Sequence, residues 1–147
     1  MTSRQMETVV DIGAPPARVW AQLTRFAAYP EWSRFIASIR GEPRVGERVT
    51  VELDDGSRPV TIKPVLLVVA ENEELRWRGT LVSPWLFSGE HYFKLTALPD
   101  GRTRLTHGEQ FGGLLVPLLW RMLDTRIRAS FGVFNEALRA RAEVPPS

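Results

Sequence analysis

Residues 117–142 read PLLWRMLDTRIRASFGVFNEALRARA, and this stretch decides the fold. Its apolar side chains recur every three or four residues, which is the period of one face of an α-helix. This apolar face comprises Trp120, Leu123, Ile127, Phe131, Phe134 and Leu138. Charged residues such as Arg121, Arg128 and Glu136 lie away from it. The pattern predicts one long helix, from Pro117 to Ala142, that packs one face against another layer.

The sequence before this helix is rich in β-strand patterns. Residues Gln5–Ile12 alternate between two faces and predict a first strand, which the segment Gly13-Ala14-Pro15-Pro16 ends. Two short helices are predicted next, over Ala17–Thr24 and around Tyr29-Pro30-Glu31-Trp32. Strand patterns then continue up to the last helix. A curved antiparallel sheet is wider than one helix can fill, so this order predicts an α+β fold with an internal cavity.

Two turn sequences predict hairpins. The first is Asp55-Gly56, which is typical of a two-residue turn. Such a turn would place Val51 opposite Val60 and Val49 opposite Ile62, so that apolar residues meet on one face.

The second turn is Pro99-Asp100-Gly101, which is typical of a type I turn followed by a glycine in the left-handed region. It joins the strand patterns 89–98 and 102–110. The predicted pairs are Leu95 with Leu105, Phe93 with His107, and His91 with Glu109. A slip of one residue would send the apolar partners to opposite faces, so this register is strongly specified.

The composition excludes several kinds of site. The chain has no cysteine and only two histidines, which rules out thiolate metal sites, iron–sulfur clusters and cysteine nucleophiles, and we expect no metal and no cofactor. Acidic and basic residues are interspersed at a net charge of +2, and we expect no nucleic-acid partner. The N-terminal residues lack the apolar core of a signal peptide, and no apolar run approaches the ~20 residues that span a bilayer. We therefore expect a cytoplasmic protein without stable membrane insertion.

Six short motifs are more informative together than any one is alone. They are Ala14-Pro15-Pro16-Ala17-Arg18-Val19-Trp20, Tyr29-Pro30-Glu31-Trp32, Leu75-Arg76-Trp77-Arg78-Gly79, Gly89-Glu90-His91-Tyr92-Phe93, Thr103-Arg104-Leu105-Thr106-His107-Gly108-Glu109 and Asn135-Glu136-Ala137-Leu138. In this order and spacing they resemble the START-like helix-grip superfamily, also called SRPBCC, and its polyketide cyclase/dehydrase-like branch. The resemblance spans nearly the whole chain.

The resemblance implies one ligand-binding domain over residues 1–147. Its helix-grip fold would have a curved seven-stranded antiparallel sheet around a long C-terminal helix, with two short helices after the first strand. A hydrophobic pocket would lie between the sheet and the helix. No particular reaction is implied, because the superfamily includes lipid carriers, hormone receptors, cyclases and chaperone regulators.

His91 and Glu109 are the candidate catalytic residues, because the predicted register places them opposite each other on the inner face. A carboxylate beside an imidazole can move a proton to or from a bound carbonyl compound. Three roles stay open for this pair: an acid/base pair, a polar contact to a ligand, and a buried structural pair. His107 lies on the same face, and two imidazoles with one carboxylate resemble a metal-ligand set. Nothing else in the chain supplies a further obvious ligand.

Aromatic residues form the second set of candidates. The predicted ligand-binding residues are Trp32, Phe35, Trp77, Trp85, Phe87, Phe93, Phe111 and Phe134, together with His91, His107 and Glu109. Trp32, Phe35 and the segment Val82–Phe87 lie in loop-like sequence between polar neighbours. Bulky apolar residues in such loops predict the rim of a pocket entrance.

The leading functional hypothesis is a protein that binds or carries a small hydrophobic molecule, such as a lipid, a polyketide or an aromatic metabolite. The first alternative is a polyketide cyclase or dehydratase that uses His91 and Glu109. The second is a protein-interaction module similar to the chaperone regulators, with Trp85 and Phe87 in its contact surface. A homodimer is compatible with the sequence.

Overall fold

The chain folds into eight antiparallel strands and a long C-terminal helix, in a computed structural model that describes residues 3–80, 83 and 85–145. The strands are β1 (Ser3–Ile12), β2 (Phe35–Arg40), β3 (Thr50–Asp54), β4 (Val60–Ile62), β5 (Val65–Ala70), β6 (Glu74–Thr80), β7 (Ser88–Ala97) and β8 (Thr103–Gly112). The helices are α1 (Pro16–Thr24), α2 (Tyr29–Trp32), α3 (Val116–Met122) and α4 (Arg128–Glu143). The predicted α+β helix-grip architecture is confirmed, including the two short helices after the first strand.

The strands form two sheets, which corrects the single seven-stranded sheet that the resemblance implies. One sheet has the order β1-β8-β7-β6-β5 and the other the order β2-β3-β4. The division falls at Lys63-Pro64, between β4 and β5, because proline has no N–H to donate to a continuing ladder. The sheets remain connected, since the Gly46 N–H donates to the Leu66 carbonyl at 2.8 Å and the Leu66 N–H to the Glu47 carbonyl at 2.9 Å. Together they make one curved wall.

The β7–β8 hairpin has the predicted register. Leu95 pairs with Leu105, Phe93 with His107 and His91 with Glu109. The three-residue turn and the apolar alternation agree, and this agreement made the register readable from the sequence.

The β3–β4 hairpin does not have the predicted register. Val51 pairs with Ile62 instead of Val60, and Leu53 takes Val60. The connection is longer than two residues because its side chains bond to its own backbone: Asp54 Oδ1 accepts from the Gly56 N–H at 2.9 Å. The shift amounts to two residues, so the apolar side chains keep their faces.

The C-terminal helix is continuous but contains a π-helical turn, Leu123–Ile127, between α3 and α4. Beyond this turn Phe131, Phe134 and Leu138 are fully buried, whereas Ile127 is half-buried. The helix packs along β1 and against α1. Across residues 3–80, 83 and 85–145, no helix has the length and apolar character needed to cross a membrane.

Candidate functional site

A cavity of about 210 Å³ lies between the two sheets and the C-terminal helix. Its apolar lining comes from the small sheet, the large sheet and the π-helical turn, and includes Phe35, Leu53, Ile62, Trp77, Phe87, Phe111, Leu123 and Ile127. The internal cavity that the element order predicts is therefore present. Three separate parts of the chain must come together to enclose it.

Two glycines keep part of the cavity wall free of side chains. Gly79 of β6 and Gly89 of β7 pair with each other and both line the cavity. A Cβ atom on Gly79 would meet Pro64 at 3.8 Å, which is an ordinary contact. A Cβ atom on Gly89 would overlap the carboxylate of Glu109. The Glu109 carboxylate thus occupies the space that a side chain at position 89 would need.

Glu109 is the polar centre of this wall. Of the described residues that line the cavity, it alone carries a carboxylate, and none of them is lysine or arginine. Its Oε1 atom lies 3.2 Å from His91 Nδ1, and the two side chains are 18% and 7% exposed. The predicted pairing of these residues across β7 and β8 therefore brings their side chains into contact at the cavity.

Further polar groups extend from His91 into the core. His91 Nε2 lies 2.7 Å from His107 Nε2, and His107 Nδ1 lies 2.7 Å from Asn135 Oδ1. Asn135 Nδ2 donates to Thr8 Oγ1 at 2.8 Å, and the Thr8 hydroxyl donates to the His107 carbonyl at 2.9 Å. We call Glu109, His91, His107, Asn135 and Thr8 the polar chain. It connects the cavity to α4 and β1.

His107 is held neutral inside the core. It is fully buried, and its ring stacks on that of Phe131 with the centroids 4.0 Å apart. Burial lowers the pKa of His107 well below its usual value, and the nearby His91 lowers it further, while the hydrogen bond with Asn135 acts in the opposite direction. The two Nε2 atoms contact each other, so the imidazoles do not converge on a common ion. Within the described part of the chain, no group of three His, Cys, Asp or Glu residues could hold a metal.

The cavity gathers some of the predicted site residues and leaves others out. The residues on its wall are Phe35, Trp77, Phe87, His91, Glu109 and Phe111. The predicted residues that are not among its lining residues are Trp32, Trp85, Phe93, His107 and Phe134. Phe93, His107 and Phe134 are buried core residues behind the wall, and Trp32 packs against both Tyr29 and Phe134.

The predicted entrance rim is described only in part. Trp85 is 64% exposed, and its carbonyl accepts a hydrogen bond from the Leu114 N–H at 3.0 Å. Val82 and Pro84 of the same segment lie outside the described residues. Phe35 lines both the cavity and an outer cleft of about 590 Å³ beside α4. Its φ of +76° lies in the left-handed region, which is a strained conformation for a phenylalanine.

Several site residues were missed by the sequence analysis. Asn135 and Thr8 belong to the polar chain, and Gly79 and Gly89 shape the wall. Asn135 had a signal, because it lies four residues after Phe131 and so on the edge of the apolar face of the helix. The signal for Thr8 was weaker: it lies on the same strand face as the apolar Met6.

Comparison with known families finds one sequence model that matches residues 3–143, and its description is polyketide cyclase/dehydrase and lipid transport. No protein with a curated description matches the chain significantly.

Comparison with solved structures finds the same fold in several bacterial proteins. A Mesorhizobium loti protein is 23% identical at a TM-score of 0.75, with 98% of this chain and 100% of that chain covered. An aromatase/cyclase from a Streptomyces species is 18% identical at a TM-score of 0.78, with 97% and 94% covered. A START superfamily protein from Mycobacterium smegmatis is 17% identical at a TM-score of 0.77, with 95% and 97% covered. At these identities the likeness concerns the fold.

Proposed function

The chain belongs to the family described as polyketide cyclase/dehydrase and lipid transport, and from this premise we propose that it binds one small, mostly apolar molecule in the cavity beside Glu109. The observation that carries this proposal is the composition of the cavity wall. Aromatic and aliphatic side chains from three parts of the chain surround one carboxylate–imidazole pair. Apolar walls with a few polar groups at defined positions are the usual form of a small-molecule site.

The size of the cavity narrows the ligand class. Pockets for drug-sized ligands measure about 300–1,000 Å³, whereas this cavity measures about 210 Å³. A compound with a single ring or with two fused rings matches this volume better than a diacyl lipid or a long polyketide chain. We therefore take an aromatic or alicyclic metabolite as the ligand class.

A cavity-filling substitution tests the binding site. Gly79→Val places a side chain into the cavity, and the 3.8 Å contact with Pro64 leaves room for its Cβ atom. We expect naphthalene to bind the wild-type protein with one-to-one stoichiometry and to bind Gly79→Val at least about tenfold more weakly, a loss of ~1.4 kcal/mol. Titration followed by two-dimensional NMR measures both affinities.

The matched control is Arg78→Val, which puts the same side chain on the adjacent, exposed position of β6. Its affinity for naphthalene is expected to equal that of the wild type. Absence of saturable binding to the folded wild-type protein, or equal affinities in wild type and Gly79→Val, would contradict the proposed site.

A cyclase- or dehydratase-type activity is the second candidate, and the contact between Glu109 and His91 at the cavity wall favours it. In a dehydration, this pair would accept the proton from the carbon next to a carbonyl and return a proton to the departing hydroxyl, which leaves as water. Conversion of a bound β-hydroxyketone would identify this activity. A β-hydroxyketone that binds without being converted would leave binding as the function.

A further inference from the structure

We propose that the ligand is a molecule without a negative charge that donates a hydroxyl proton to Glu109, and that Thr8 and Asn135 position this site by fixing the protons on His107 and His91. This inference rests on the proposed function, because it concerns the ligand of the same cavity. It follows from the direction of each hydrogen bond in the polar chain, starting at the end farthest from the cavity.

The far end of the polar chain has one consistent direction. The Thr8 hydroxyl has a single proton, which it donates to the His107 carbonyl at 2.9 Å. Its oxygen must therefore accept from Asn135, and this requires the NH₂ group of Asn135 to face Thr8. The Oδ1 atom of Asn135 then faces His107 Nδ1 at 2.7 Å. An amide oxygen only accepts, so His107 carries a proton on Nδ1.

The middle of the polar chain follows from the neutrality of His107. A neutral imidazole with its proton on Nδ1 has a lone pair on Nε2. His107 Nε2 is 2.7 Å from His91 Nε2, so the proton between them belongs to His91. His91 is the donor in this contact.

The near end of the polar chain is the contact between His91 and Glu109. His91 Nδ1 lies 3.2 Å from Glu109 Oε1, which is an ion-pair distance. Because the Nε2 proton of His91 is directed to His107, Nδ1 is the ring nitrogen that faces the carboxylate. A proton on this nitrogen would give a third fixed proton and would balance the charge of Glu109.

The remaining oxygen of Glu109 is directed at the ligand space. Oε2 lies over Gly89, where a Cβ atom pointing into the cavity would be. No hydrogen bond from the described residues reaches it. A hydroxyl group on a ring compound can donate to this oxygen, and hydrogen bonds to ionised acceptors are the stronger ones.

Anionic ligands fit this site poorly. No arginine or lysine occurs among the described lining residues, so a carboxylate ligand would be buried beside Glu109 without a neutralising partner. A phenol- or enol-type hydroxyl supplies the proton that this oxygen can accept and adds no negative charge.

The proton positions are tested by NMR on protein with ¹⁵N-labelled histidine. We expect His107 as the single tautomer protonated on Nδ1, with a protonated Nε2 on His91. In Thr8→Val the amide of Asn135 loses the hydroxyl group that orients it. We therefore expect His107 to become a mixture of the two neutral tautomers. The control Thr106→Val changes the same residue type on the outer face of β8 and is expected to leave both tautomers unchanged. A wild-type His107 protonated on Nε2, or an unaltered tautomer in Thr8→Val, would overturn the proton assignment.

The ligand class is tested with three compounds of one shape: naphthalene, 2-naphthol and 2-naphthoate. We expect 2-naphthol to bind the wild type about tenfold more tightly than naphthalene, and 2-naphthoate to bind more weakly than naphthalene. Glu109→Gln should reduce the preference for 2-naphthol to less than about threefold. Glu90→Gln, on the outer face of β7 beside Arg76, is the control and should keep the full preference.

The outcomes separate this inference from the proposed function. Equal affinities for naphthalene and 2-naphthol, or tighter binding of 2-naphthoate, would overturn the ligand class while leaving the binding site intact. No binding of any of the three compounds by folded wild-type protein would overturn the proposed function as well.

Discussion

Replacing Gly89 with alanine is the most direct perturbation of the Glu109 site. The new methyl group would occupy the position of the Glu109 carboxylate, so this side chain must leave His91 or the two strands must separate. Gly79→Ala provides the matched comparison, because Gly79 pairs with Gly89, lines the same cavity and has room for a methyl group.

The size of the effect follows from comparing the two variants. The displaced group is the free end of the Glu109 side chain, which can turn into the cavity, so the substitution costs the contact with His91, about 0.5–1.5 kcal/mol. Both substitutions also restrict the unfolded chain, which stabilises each protein by about 0.4–1 kcal/mol. Since the second contribution is common to both, we expect the free energy of unfolding of Gly89→Ala to be about 0.5–1.5 kcal/mol lower than that of Gly79→Ala.

Urea denaturation followed by circular dichroism measures this difference, and the His91 imidazole signals report whether Glu109 has moved. We expect these signals to shift in Gly89→Ala and to stay near their wild-type positions in Gly79→Ala. Two variants of equal stability with unshifted His91 signals would refute the placement of the Glu109 carboxylate over Gly89.

The core and its pH dependence give two more predictions. Phe134→Ala should lower the free energy of unfolding by about 3–5 kcal/mol, because Phe134 is fully buried and is not on the cavity wall. Val133→Ala at the neighbouring, 48% exposed position should cost less than about 0.5 kcal/mol, and similar losses in both would contradict this packing. Burial lowers the pKa of His107, so at pH values below ~6.5 this residue binds a proton in the unfolded chain and not in the folded chain. The free energy of unfolding should therefore decrease as the pH is lowered from ~6.5, with a limiting slope of about 1.4 kcal/mol per pH unit. In His107→Phe that contribution should vanish, and an unchanged slope in urea denaturation series between pH 5 and pH 7 would speak against it.

The elements of the fold were largely predictable because their signals are local. The apolar face of the last helix needs only the period of the backbone, and the β7–β8 register needs only its turn and the alternation beside it. The contact between His91 and Glu109 followed from that register. The π-helical turn of the last helix had no comparable signal.

The β3–β4 hairpin shows where local signals end. Asp55-Gly56 favours a two-residue turn, but Arg126 of the C-terminal helix donates to Asp55 at 2.8 Å and to Ser57 at 3.1 Å. These contacts, and the hydrogen bonds between the Asp side chains and the backbone, occur in a connection between β3 and β4 that is longer than two residues. A partner 71 residues away in the sequence cannot be read from the turn itself.

The sequence alone determined the strand-and-helix order, the pairing of His91 with Glu109 and the apolar face that carries Phe134, since each depends on neighbouring residues and backbone geometry. Only the tertiary structure decided that His91 meets His107 and that His107 meets Asn135 and Thr8, because these side chains come from four elements. The cavity volume was also decided at that level. This volume is the space that remains unfilled between two sheets and a helix. A shift of one side chain changes the volume without changing the sequence pattern of any strand or helix.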